Sequence, residues 1–133
     1  ISNCGGLIFF MMMYEKDYIM RIISNMINFL AKIVFGKSNA VYEISEDERF
    51  KESDELHQEL LDLISKGKIN EAENMLFDRL NPDDKRQIMV AIDFYRRLNS
   101  FDDEFLEKNN FSRQEIEEGL RDLANKAGII IYE

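Results

Sequence analysis

A chain of 133 residues with 17 Lys plus Arg, 26 Asp plus Glu and 45% hydrophobic residues has the size of one domain and apolar mass for one core. A net charge of -9 on that apolar content excludes disordered and collagen-like classes. One Cys and one His exclude an intrachain disulfide and a Cys/His zinc cage, and with them the disulfide-rich secreted folds.

The charge is unevenly placed, net +2 over residues 1–40 and net -11 over residues 41–133. An acidic body repels phosphate backbones, so nucleic acid is not an expected partner. In chain order, residues 1–13 contain a Gly5-Gly6 pair and the apolar run Leu7 to Met13. That run is too short to span a bilayer and lacks the basic leader and cleavage site of a signal peptide. The expectation is a non-native leader, from a start assigned too far upstream or an engineering remnant, with translation beginning at one of Met11 to Met13.

Tyr14 to Phe35 is the strongest periodic segment. Ile19, Ile22, Met26, Phe29 and Ile33 form one heptad seam, with Met20, Ile23, Ile27, Leu30 and Val34 beside it. The polar stripe is narrow, and Gly36 stands where a helix stops. Three readings of this wide face follow in order: a core helix covered on two sides, a self-association surface through the first seam, and a membrane-surface helix. Only Arg21 and Lys32 charge its polar stripe, fewer basic residues than interfacial helices carry.

After a linker over residues 37–44, Ser45-Glu46-Asp47-Glu48 has capping-box form and predicts a second helix to Lys66, with a break near Ser53 and an end at Gly67. Asn70 caps a third helix carrying Ala72, Met75, Leu76 and Leu80. Asn81-Pro82-Asp83-Asp84 starts a fourth, with Pro82 in its first turn and Ile88, Ala91, Ile92, Tyr95 and Leu98 inward. Residues 100–108 form a short helical turn burying Phe101, Phe105 and Leu106. Ser112 and Glu115 make a capping box, with a Phe111 to Ile116 staple, for a fifth long helix that ends at Gly128. Gly119 inside that helix marks a close helix contact. Ile129 to Tyr132 is an apolar tail docked on the helices. The fold expected is all-α, one compact bundle of about five helices over residues 14–133.

Residues 60–80, with Gly67-Lys68-Ile69-Asn70-Glu71-Ala72-Glu73-Asn74-Met75-Leu76, resemble the turn and second helix of a tetratricopeptide-like antiparallel hairpin, Ala72 being the small residue at the crossing. No second copy follows at a period of about 34 residues, and the chain has no Trp. That resemblance implies a preference for protein segments. A wider one rests on Tyr14 to Arg21, Ile69 to Phe77, Leu98-Asn99 with Asp102 to Glu107, and Phe111 to Ile116. Over residues 14–128 the chain resembles an uncharacterised Firmicutes family of small all-helical proteins, a domain of unknown function. The resemblance implies a bacterial cytoplasmic protein and no particular activity.

Chemistry-bearing residues are few. Asp54 and His57, one turn apart, have the spacing of a metal pair, but a di-metal bundle site needs a second His, and the expected His57 is solvent-facing or cap-supporting. Asp102, Asp103, Glu104 and Glu107 could share a cation or serve acid-base chemistry, with helix-dipole partnering as the simpler reading. Tyr95 and Arg96, near Asp93 and Arg97, are candidate anchors for a bound segment, together with Asp102 and Asp103. Cys4 has no basic neighbour to activate it. Ser112 to Ile129 has the look of a first helix-turn-helix element without a recognition helix, and no Gly-rich phosphate loop or Ser nucleophile elbow occurs.

The function expected is a cytoplasmic helical interaction module with a protein partner, self-associating through Ile19, Ile22, Met26, Phe29 and Ile33, with no cofactor or metal assigned. One alternative is a membrane-peripheral protein held through residues 14–35; another is a metal-dependent enzyme using the carboxylates of residues 102–107.

Overall fold

Residues 3–36, 42–45 and 47–131 are described by the computed structural model, with side chains from residue 16 onward. The leader side chains, Cys4 among them, linker residues 37–41, Glu46 of the expected capping box and Tyr132 of the tail lie outside the described residues. Among the described residues six helices run in the order α1 (Asn3–Phe35), α2 (Lys51–Ser65), α3 (Ile69–Arg79), α4 (Lys85–Ser100), α5 (Asp103–Lys108) and α6 (Arg113–Lys126), with a 3₁₀ turn at Glu48–Phe50 before α2. No strand occurs among the described residues. The all-α fold is as the periodicity implies.

At the centre stands α4, which packs against α1, α2 and α6, while α2 pairs with α3 and α1 also meets α6. Every residue from Gln87 to Tyr95 is buried, so α4 is covered all round, whereas an amphipathic reading of its sequence exposes one face. Helix α1 contributes Ile23, Met26, Ile27, Leu30 and Ala31 to the core, α2 Leu56, Leu60 and Ile64, and α6 Ile116, Leu120, Leu123 and Ala124. The helix begins at Asn3, upstream of the Tyr14 start expected from periodicity.

Three helix starts differ from expectation, each for a local reason. Asp47 caps the 3₁₀ turn through Arg49 N–H, so α2 proper begins at Lys51 and the break falls at Phe50 rather than near Ser53. Helix α3 starts at Ile69, and Asn70, instead of capping it, donates its side-chain amide to the Asn110 carbonyl. Asn81 to Asp84 form a turn closed by the Asn81 side chain and carbonyl; Asp84 then caps α4 through Arg86 N–H, leaving Pro82 outside the helix.

Other signals are met directly. Ser112 and Glu115 form both halves of the capping box, and Asp102 caps α5 by accepting from Phe105 N–H. The α2–α3 hairpin turns at Gly67, whose φ of +74° and whose N–H to Ile64 carbonyl bond, with Lys68 N–H to Leu63, make a Schellman stop. Gly119 lies against the Tyr95 ring so closely that any Cβ would collide with it. Ile129 and Ile131 of the tail pack on the core, while Ile130 is exposed.

Candidate functional site

A carboxylate inside the apolar run of α4 is the least expected feature of the core. Asp93 is 0% exposed. Its Oδ1 accepts from Arg96 at 2.8 Å and from the Tyr42 N–H at 3.4 Å, and its Oδ2 accepts from Arg97 Nε at 2.7 Å. His57 Nδ1 of α2 stands 3.7 Å from the same Oδ2. Arg96 and Arg97 lie one helical turn beyond Asp93, so the two guanidinium groups fold back over the carboxylate while their outer edges reach solvent. Burial holds His57 below its ordinary value, more than the nearby Asp93 raises it. The imidazole is therefore neutral at pH 7, and Asp93 is balanced by arginine.

A second layer joins this pair to the segment before α2. The Tyr42 ring rests on His57 at 4.7 Å, and its hydroxyl meets Ser53 Oγ at 2.8 Å, the Asp54 carboxylate, and Arg86, which donates to it at 2.9 Å. Arg86 also donates to the Glu43 carbonyl and lies over the Phe50 ring at 4.3 Å. Burial and the bond to Asp54 push the Tyr42 hydroxyl above its usual range. The whole arrangement fastens Tyr42, Glu43 and the start of α2 to α4. Apart from the buried Arg86 Nε, which has no hydrogen-bond partner among the described residues, its polar groups are paired with one another, which suits an internal clamp rather than acid-base chemistry on a substrate.

The residues singled out in the sequence are distributed as follows. His57 is buried, contrary to the solvent-facing expectation, because α2 turns it toward α4. Asp54 faces Tyr42 and Arg86 while His57 faces Asp93, so the pair does not converge on one cation position. No group of three metal-ligating side chains occurs among the described residues. Tyr95 is also corrected: it is 0% exposed, donates to Glu73 at 2.6 Å and abuts Gly119, so it offers no surface to a partner. Arg96 is partly exposed but engaged with Asp93. Asp102 is an exposed cap, and Asp103 pairs with Arg113 at 2.9 Å and Lys16 at 3.3 Å. Arg113 itself is buried and donates to the Asn99 and Phe101 carbonyls, tying α6 to the end of α4. Tyr95 and Arg96 are thus not brought together with Asp102 and Asp103 as one surface.

Sequence reading missed Tyr42, Ser53, Arg86 and Arg113 in these roles. One available signal was Asp93 itself, a carboxylate in an apolar helix followed at three and four residues by two arginines.

Along α1 the expected seam divides. Met26 is buried and Ile19 and Ile22 are partly covered, whereas Phe29 and Ile33 are 39% and 56% exposed and Tyr18, one turn before Ile22, is 57% exposed. Tyr18, Ile22, Asn25, Met26 and Phe29 line a groove of about 560 Å³ whose other wall is Glu117 of α6 and Ile131 of the tail. Lys16–Phe35 is also long and apolar enough, by length and composition, to cross a membrane, with a mean hydropathy of 1.3 and 28% of it buried in the bundle.

One family profile matches residues 13–128, from within α1 to the end of α6 and its Gly128 stop. The chain belongs to a family of unknown function, DUF6483. Within the residues matched to DUF6483 lie the α4 clamp and the exposed stripe of α1, while Ile131 of the groove wall lies beyond them. Neither a curated protein nor a solved structure matches the chain.

Proposed function

We propose that this DUF6483 protein is a cytoplasmic helical interaction module that self-associates through α1. The observation that carries the reading is the line of Tyr18, Phe29 and Ile33, exposed apolar side chains continued by the half-buried Ile22 on a helix whose inner side is core. Large apolar residues clustered on one face, rimmed by polar ones, mark an association surface more often than scattered single exposures do. Behind α1, the α4 helix it packs against is tied to the Tyr42 segment through Asp93, which Arg96 and Arg97 hold.

Sedimentation velocity on the wild type and on Phe29→Asp and Ile33→Asp tests it. Both variants are expected to stay folded, because neither side chain belongs to the buried core, and to sediment more slowly than the wild type at equal concentration. Identical sedimentation of all three as monomers would sink the reading.

A membrane-surface role is favoured by one observation, the length and apolarity of Lys16–Phe35. Against it stand the ties of this helix to the bundle: Lys16 to Asp103, and Asn99 to the Met20 carbonyl and Ser24 hydroxyl. The metal-dependent reading has less to build on, since Asp102 caps α5 and Asp103 is shared between Arg113 and Lys16.

A further inference from the structure

The exposed stripe of α1 is close to palindromic. Tyr18 and Ile22 precede Asn25, Phe29 and Ile33 follow it, and successive members are three or four residues apart, so all five share one face. On one flank of this face stand Asp17, Arg21, Asn28 and Lys32, all exposed, and none of the three charged ones makes an ion pair among the described residues.

From this pattern we infer that the partner is a second copy of this chain, bound through an antiparallel α1 pair whose two-fold axis passes beside Asn25. The inference rests on the self-association reading above and specifies its geometry. Such an axis sets each residue opposite the one equally far on the other side of position 25. Ile22 then packs beside the partner's Phe29, and Tyr18 reaches the level of the partner's Ile33. Asn25 meets the partner's Asn25, whose amide both donates and accepts, a pairing that fixes register at one polar position in an apolar seam.

Charge selects this arrangement over a parallel one. With the axis in the interface and across the helices, the polar flank of one copy faces the same flank of the other. Asp17 lies within one residue of the level of the partner's Lys32, and Arg21 within one of the partner's Asn28; symmetry repeats both contacts. A parallel pair, whose axis runs along the helices, sets the two polar flanks on opposite sides of the seam and forms neither contact. Residues 17–33 span about 24 Å of helix. An interface of that length buries on the order of 1,000 Å² in total, at the small end of specific interfaces.

The test combines charge exchange with cysteine pairing on the full chain. Asp17→Lys and Lys32→Asp are each expected to raise the dimer Kd roughly 5-fold or more at low salt, and the double exchange to restore it to within about 2-fold. In a Cys4→Ser background, Asn25→Cys is expected to form an interchain disulfide under mild oxidation. Asp17→Cys is expected to crosslink to Lys32→Cys and not to itself. Self-crosslinking of Asp17→Cys, or a double exchange no better than the singles, would overturn the register while leaving self-association standing. A chain that stays monomeric in solution overturns both. The same holds if it binds vesicles of mixed phosphatidylserine and phosphatidylcholine through Ile33, since a bilayer then occupies the stripe.

Discussion

A fully buried carboxylate is tolerated only where its charge is met, and at Asp93 two arginines of the same helix meet it. An asparagine keeps one oxygen to accept from the Tyr42 N–H, but its NH2 replaces the oxygen that accepts from Arg97 Nε, and both guanidiniums lose the carboxylate's counter-charge. Asp93→Asn is accordingly expected to lower stability by about 2–4 kcal/mol, read as a fall in the urea midpoint; this allows for the partial exposure of the guanidiniums. His57 adds a pH dependence of definite sign. Burial places its folded-state pKa below the ordinary value of 6.5, so the unfolded chain binds more protons as pH falls through that value. Stability tied to the neutral imidazole is whole above pH 6.5, declines below it, and levels off beneath the folded-state pKa. Urea midpoints compared at about pH 7.5 and pH 5.5 should drop more for the wild type than for His57→Gln; equal drops would mean that His57 is not a linked group. At Gly119, helix propensity and packing oppose each other. Ala would gain about 1 kcal/mol as a helix former but drives its methyl into Tyr95, and overpacking in a filled core costs about 1–3 kcal/mol. A lowered melting temperature for Gly119→Ala is the expected result.

At the level of elements, what the sequence made legible was what local chemistry decides alone. The Ser112 and Glu115 box needs only three residues and a helix start, and Ser112→Ala should cost about 1 kcal/mol, measurable in the urea midpoint. Gly67 and Gly128 end their helices as expected because a left-handed residue is available there. The misses lie where several caps compete. Asn81, Asp83 and Asp84 could each start α4, and Asp84 does so because Asn81 is drawn into the turn and its N–H is taken by the buried Gln87. Covering α4 on every side was legible only in part: its second face, Met89, Val90 and Phe94, becomes core once α1, α2 and α6 surround it. The clamp was still less visible, since Tyr42 and Arg86 are 44 residues apart and Tyr42 and Asp93 are 51 apart in the chain. Long separations of that kind are set by how helices dock, which no local spacing encodes. Tyr95 was misplaced for the same reason, its hydroxyl finding Glu73 on α3 rather than water.

For the whole molecule, α1 has two tasks on two faces. Ile23, Met26, Ile27, Leu30 and Ala31 close the bundle over α4 and α6, so deletion of residues 1–36 should leave a chain without cooperative unfolding by circular dichroism. A deletion that unfolds sharply near the wild-type midpoint would show that α1 is not part of the core. The outer face, Tyr18 to Ile33, touches that core only through the half-buried Ile22 and accounts for the proposed association. The most direct measurement is the solution mass of the unmodified chain by light scattering across a concentration series from micromolar to millimolar. The mass should rise from the monomer value of 15.7 kDa toward twice that and stop there, since an isologous pair uses up its own surface. A mass fixed at the monomer value throughout, or one that climbs past the dimer without a plateau, would contradict the account.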